Sequence, residues 1–246
     1  MNKKILETLK KIKSFIFPIA SCISCNHPSK ELNAFYICME CMENIKDCEI
    51  KDGYCYRCLS RKSQSKECSF CKNDGLKNID KCYSPFRYEE PVRKLIIDLK
   101  YNYSDEAAKL LANAMYSCIE GKEFDYIVPV PIHKKRLKQR FKNQSLVLAK
   151  ILSELSKTPI SEALYKDRNA KTQSKIKDTK KRIKNIENAF KINEKMIAQI
   201  KGKSILLLDD IRTSGATSRA CAKALKESGA KDISFICCAI ANHNND

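Results

Sequence analysis

Four C-x-x-C pairs crowd into residues 22–71 of this 246-residue chain: Cys22/Cys25, Cys38/Cys41, Cys55/Cys58 and Cys68/Cys71. Each pair aims two sulfurs at one point, and two such turns on facing hairpins supply four thiolates for a tetrahedral Zn²⁺. Twelve residues separate the first two pairs and nine separate the last two. The expected metal ligands are therefore Cys22, Cys25, Cys38 and Cys41 for one site and Cys55, Cys58, Cys68 and Cys71 for a second. The spacing leaves interleaved pairing open. Many such turns carry Gly after the second Cys; here Asn26, Met42, Leu59 and Lys72 stand there, and only Asn tolerates a left-handed backbone well.

A disulfide framework is the competing reading, and it requires export. Ile19-Ala20-Ser21-Cys22 has the look of a lipoprotein cleavage box, but Glu7, Lys10, Lys11 and Lys13 interrupt the stretch that should be apolar. The expectation is a reducing compartment, a cytoplasmic protein, and two structural zinc ions. Cys48, Cys82, Cys118, Cys221, Cys237 and Cys238 read mainly as small buried hydrophobes. The chain is strongly basic, at +18 formal charge.

Residues 1–21 read as an amphipathic helix, with Ile5, Leu9, Ile12 and Ile16 at helical spacing and Pro18 at its end. It packs on the rest of the protein or, as a basic amphipathic segment, makes a peripheral contact with the inner face of a membrane. Residues 22–82 are the metal-binding region, where so little apolar material is present that metal takes the place of a core. From 83 to 246 the pattern becomes α/β. Helices are expected from Pro91 and over 106–120, 144–156 and 216–228, and strands at Tyr126–Val130, Ser204–Leu208 and Ile233–Ile240. Continuous apolar strands alternating with helices indicate a parallel sheet.

The segment richest in chemistry is Ile205-Leu-Leu-Leu-Asp209-Asp210-Ile211-Arg212-Thr213-Ser214-Gly215-Ala216-Thr217. It begins as a buried strand and ends as a helix N-terminus. Ligands bind at the carboxyl ends of parallel strands, and two adjacent acids there are costly without a polar ligand or cation. The small hydroxyl-rich turn offers backbone N–H groups backed by a helix dipole, a cradle for phosphate. Acids for hydroxyls beside donors for phosphate suit a ribose 5-phosphate.

This segment resembles the signature by which type I phosphoribosyltransferases bind phosphoribosyl pyrophosphate (PRPP). In that family the acid pair holds the ribose 2- and 3-hydroxyls and the T-x-G-x-T turn holds the 5-phosphate. Further runs extend the likeness: Val128-Pro-Val-Pro131-Ile132-His133 followed by Arg136-Leu137, Arg140, Asn143 and Gln144; Lys100-Tyr101; Arg168, Thr172 and Gln173; and Arg182, Asn185, Ala189 and Phe190. Together with the cysteine pairs they resemble the ComF family, competence proteins with a cysteine-rich N-terminus and a phosphoribosyltransferase-like domain. Phe141-Lys142 stands where that family usually has Gly-Phe. Arg212 occupies a position often apolar or small, where it either faces the ligand or stands exposed.

The resemblance implies an α/β fold: a type I phosphoribosyltransferase-like parallel sheet flanked by helices, preceded by a four-cysteine double zinc ribbon. It implies PRPP binding, with Mg²⁺, by Asp209, Asp210, Thr213, Ser214, Gly215, Ala216 and Thr217. Pro131, Ile132, His133, Lys134 and Lys135 would form the pyrophosphate loop, with Arg136 and Arg140 as charge partners or as plain solvated arginines. Residues 83–121 are the candidates for the acceptor-selecting hood. The resemblance further implies handling of single-stranded DNA in natural transformation, with competence helicase or channel proteins as partners. A basic run over 166–184 fits a phosphate backbone, or is simply a solvated loop. Two other readings compete: a non-catalytic, zinc-stabilised single-stranded DNA-binding module, and a phosphoribosyltransferase of nucleotide metabolism.

Overall fold

A computed structural model describes residues 20–61, 68–73, 75–102, 104–132, 142–166 and 189–241. The elements along them are α1 (Met39–Asp47), α2 (Ser69–Lys72), β1 (Lys81–Tyr83), β2 (Phe86–Arg87), α3 (Val92–Tyr101), α4 (Asp105–Ile119), β3 (Tyr126–Pro129), α5 (Gln144–Ser156), β4 (Leu164–Lys166), β5 (Phe190–Ile192), β6 (Ser204–Arg212), α6 (Ala216–Glu227) and β7 (Asp232–Ile240). A 3-10 turn spans Glu194–Gln199. Most of the N-terminal helix expected over 1–21, the loop residues His133, Lys134, Lys135, Arg136 and Arg140, and all of the basic run except Lys166 lie outside the described residues, as do Arg168, Thr172, Gln173, Arg182 and Asn185.

The main sheet is parallel, in the order β1-β7-β6-β3, with β2 pairing further along β7. A parallel bridge from Ile127 to Ile160 continues it past β3. The central strands carry apolar stretches, Ile205–Leu208 in β6 and Phe235–Ile240 in β7, because both of their faces are covered there. Leu206 and Leu208 of β6 point into a core shared with α3, α4 and α5, and Ile205 and Leu207 into one shared with α6 and the antiparallel β4–β5 pair. Helices therefore flank the sheet on both sides.

The cysteine region does not stand apart from this sheet. Cys22, Cys41, Ile37 and Ile45 join the core on the α3–α5 face, whereas Cys55, Cys58, Leu76 and Ile79 join the core on the α6 face. The sparse apolar residues among the cysteines are thus spent on docking against the sheet, and β1 already carries Cys82 into the pairing with β7. β6 also runs on to Arg212 rather than ending at Leu208, because the nine-residue β7 continues to pair with it.

Candidate functional site

β3 ends opposite Leu208, where Val130 N–H donates to the Leu208 carbonyl at 2.8 Å. Beyond that point β6 has, among the described residues, β7 on one side only, which opens a notch at the carboxyl edge of the sheet. Asp209 and Asp210 sit in it. Backbone groups of alternate strand residues face the same edge, so the Asp210 N–H is the next donor to lose a strand partner. The Asp209 carboxylate takes it at 2.9 Å and also accepts from Ser145 Oγ at 2.9 Å. Burial, and next the Asp210 carboxylate, push the Asp209 carboxyl up to about 7. Asp210 is held by Lys100 of α3 at 2.8 Å, both side chains being 15% exposed.

The start of α5 braces this arrangement. Asn143 Nδ2 donates to the Val130 carbonyl and Gln144 Nε2 to that of Lys100, and Ser145 is buried. After β6 the chain turns through exposed Thr213 and Ser214 to Gly215, whose φ of 72° favours glycine. There α6 begins, with no side chain among the described residues capping its first N–H groups other than a long 3.5 Å contact from Ala216 N–H to Ser214 Oγ. The free N-terminus of this twelve-residue helix is a local positive pole suited to an anion. Ala216 and Thr217 line it, half-buried, and Ser218 turns inward to donate to the Gly215 carbonyl at 2.9 Å. Pro131 and Ile132 leave β3 beside the same notch.

Arg212 neither faces the notch nor stands exposed. It is 3% exposed, with its guanidinium 4.8 Å from the centre of the Phe70 ring. Its length lets it reach sideways from the end of β6 into the second cysteine region. Lys100 and Ser145 are the site residues that pattern reasoning did not assign a role. Lys100 carried a signal in the Lys100-Tyr101 run; Ser145 carried none.

The eight cysteines gather in sequential order. Cys22, Cys25, Cys38 and Cys41 form one group and Cys55, Cys58, Cys68 and Cys71 the other, with the ligand atoms of each group within 4.8 Å of one another. Four zinc–sulfur bonds of about 2.3 Å in a tetrahedron place the sulfurs about 3.8 Å apart. The observed separations are 3.9 Å for Cys25–Cys38, 3.8 Å for Cys55–Cys71 and 3.4 Å for Cys58–Cys68. Both groups could hold zinc.

The two groups share a plan that departs from facing hairpins. The first pair of each lies in a tight turn, with Asn26 and Leu59 at φ of 63° and 56°. The second pair opens a helix, Cys38 preceding α1 and Cys68 preceding α2. Met42 and Lys72 are therefore helical or nearly so and need no left-handed backbone. Burial acts against the Cys22 and Cys55 thiolates, but backbone N–H groups at Cys25 and Cys58 and their neighbours outweigh it. They bring the two thiols down to about 6 and about 7 respectively. Burial, with repulsion among the sulfurs, drives Cys41 up to about 12 and Cys71 higher still. A divalent cation relieves that repulsion. Of the remaining cysteines, Cys48, Cys82, Cys221, Cys237 and Cys238 are buried and Cys118 half-buried, and burial raises all six thiols.

Among the described residues, no helix is long and apolar enough to cross a membrane. Residues 142–246 match the phosphoribosyl transferase domain family. The DNA utilization protein YhgH of Escherichia coli strain K12 is 29% identical over 158 residues, which cover 61% of this chain and 67% of that protein. Competence protein ComFC of Bacillus subtilis strain 168 is 26% identical over 202 residues, 78% of this chain and 79% of that one. Among solved structures, the glutamine PRPP amidotransferase of B. subtilis matches at 19% identity and a TM-score of 0.36. That match covers 52% of this chain and only about a quarter (26%) of the amidotransferase. Two four-cysteine groups ahead of a phosphoribosyl transferase domain, with relatives of this kind along most of the chain, support a ComF-family protein.

Proposed function

We propose that the notch beside β6 binds PRPP, and that the protein serves DNA uptake or use through this site. The observation that carries the reading is the placement of Asp209 and Asp210 at the strand end directly ahead of the uncapped N-terminus of α6. The carboxylates accept the ribose hydroxyls, and the Thr213–Thr217 turn donates to the 5-phosphate. The pyrophosphate lies toward Pro131 and Ile132, with His133, Lys134, Lys135, Arg136 and Arg140 following in the chain. Lys100 holds Asp210 in place, and Ser145 with the Asp210 N–H holds Asp209. Mg²⁺ entering with PRPP supplies charge neutralisation to the pyrophosphate. Transfer from PRPP then needs positioning and electrostatics rather than a protein nucleophile.

The link to DNA rests on the names borne by the relatives, a DNA utilization protein and a competence protein, and on the net charge of +18. The proposed organisation is an N-terminal helix over 1–21, a double zinc ribbon over 22–82 and the phosphoribosyltransferase-like domain over 83–246, in a cytoplasmic protein.

Isothermal titration of zinc-loaded protein with Mg²⁺–PRPP tests the reading, beside a variant carrying Asp209→Asn and Asp210→Asn. Binding by the parent and its loss in a folded variant is the expected result. Absence of binding by the parent defeats it, and DNA binding then becomes the primary activity to measure.

A further inference from the structure

The second cysteine group and the phosphate turn touch each other. Phe70, between Cys68 and Cys71, lies against the Arg212 guanidinium and 3.4 Å from where a Cβ on Gly215 would stand. Arg219 of α6 donates from Nη1 to the Ser214 carbonyl at 2.9 Å and to the Gly75 carbonyl at 3.2 Å. The first cysteine group is in the core on the other face of the sheet and makes no such contact among the described residues.

Arg212 is the unusual member of this contact. Its side chain is buried, and Nε and Nη1 have no hydrogen-bond partner among the described residues. Its Nη2 donates to Ser60 Oγ at 3.4 Å, and the Ser60 N–H donates to Cys58 Sγ at 3.4 Å. A buried guanidinium needs a counter-charge. No carboxylate among the described residues lies in ion-pair range of it. The thiols of Cys82 and Cys237 that feel its charge are kept neutral by burial. Among the described residues the remaining candidate anion is the metal group itself, since a divalent ion held by four thiolates retains two negative charges. Groups just outside a metal's ligands set ligand geometry and metal affinity, and Arg212 reaches Cys58 through Ser60.

We propose that Arg212 is a positioning residue shared by two sites: it balances the thiolate charge of the Cys55, Cys58, Cys68 and Cys71 metal centre and fixes the entry to the Thr213–Thr217 turn, so that metal in that centre tightens phosphate binding at the turn. The coupling half rests on the PRPP reading above; the metal half does not. Loss of the metal frees the Cys68–Cys71 segment, and with it the Phe70 ring that backs Arg212 and Gly215.

The full chain loaded with ¹¹³Cd²⁺ gives a separate resonance for each four-thiolate centre, and a competing chelator then reads each affinity. Arg212→Met is expected to weaken the second centre at least about tenfold and to leave the first unchanged, with Arg212→Lys recovering part of the loss. Unchanged affinity, or equal weakening of both centres, overturns the metal half. In the intact chain, Mg²⁺–PRPP is expected to tighten the second centre alone, by the same factor by which metal there tightens PRPP. PRPP that binds without altering either metal affinity overturns the coupling. PRPP that does not bind at all defeats the functional reading and the coupling with it, while the chelator titration still decides the role of Arg212.

Discussion

Replacing Asp209 by Asn is expected to make the protein more stable while abolishing PRPP binding. The folded-state carboxyl stands at about 7 against an ordinary 3.8, chiefly because it is buried and next because Asp210 is beside it. The folded protein therefore holds this proton to higher pH than the unfolded chain does. The contribution of Asp209 to stability is most favourable below about pH 4, is lost as pH rises toward 7, and is level above that. At about 1.4 kcal/mol per pH unit the ceiling on the loss is about 4 kcal/mol above pH 7, and roughly 3 kcal/mol of it is present at pH 6. Asn Oδ1 can still accept from Ser145 and from the Asp210 N–H, so the substitution removes the charge and keeps the geometry. The melting advantage of the variant should be larger at pH 8 than at pH 6 by about 1 kcal/mol, roughly 2–4 °C for a chain of this size. Thermal melts of zinc-loaded parent and variant at the two pH values measure it. A variant that melts below the parent at pH 8, or an advantage equal at both, refutes the reasoning.

Three further substitutions probe the same site. Ser145→Ala removes a hydrogen bond that stabilises ionised Asp209, so the pH midpoint of PRPP binding should move upward in titrations across pH 6–9, with a stability loss of about 1 kcal/mol. Lys100→Met leaves the Asp210 carboxylate, 15% exposed, without its ion-pair partner; denaturant unfolding should show a loss of about 1–3 kcal/mol, reversed by adding Asp210→Asn. Gly215→Ala forces a Cβ onto a backbone at φ 72° and to 3.1 Å from Arg219 Nη1, which should cost about 1–2 kcal/mol and weaken PRPP binding more than tenfold by calorimetry.

The α/β framework was legible because its signals are local. Ile205–Leu208 is an unbroken apolar run and Ile233–Ile240 is broken only by Ser234, and the hydroxyl-rich turn before Ala216 marks a helix start with no long-range information. The cysteine groups were legible as four pairs, but not in their shape: nothing in Cys38–Cys41 or Cys68–Cys71 announces a helix, because the metal-binding spacing suits a turn and a first helical turn alike. Arg212 was misplaced for a different reason. A charged residue two positions past an acid pair reads as a ligand contact or as solvent-facing, and its burial depends on Phe70 and Ser60, more than 140 positions away in the chain. The support from Ser145 and Lys100 is equally non-local, since α3 and α5 reach the notch only once the sheet has formed.

The end of β6 has one more consequence. Past Leu208 it is, among the described residues, a strand edge with β7 alone beside it, and such edges recruit strands from other molecules. Here the first orphaned N–H is occupied by the side chain of the preceding residue, which leaves a second chain no free donor at that point. A residue proposed to receive the ribose hydroxyls thus also guards the edge against a foreign strand. Asn at position 209 preserves the plug on that N–H; Ala removes it. Asp209→Ala should therefore self-associate with rising concentration where Asp209→Asn stays dispersed, so one side chain at the strand end keeps the protein apart from its own copies.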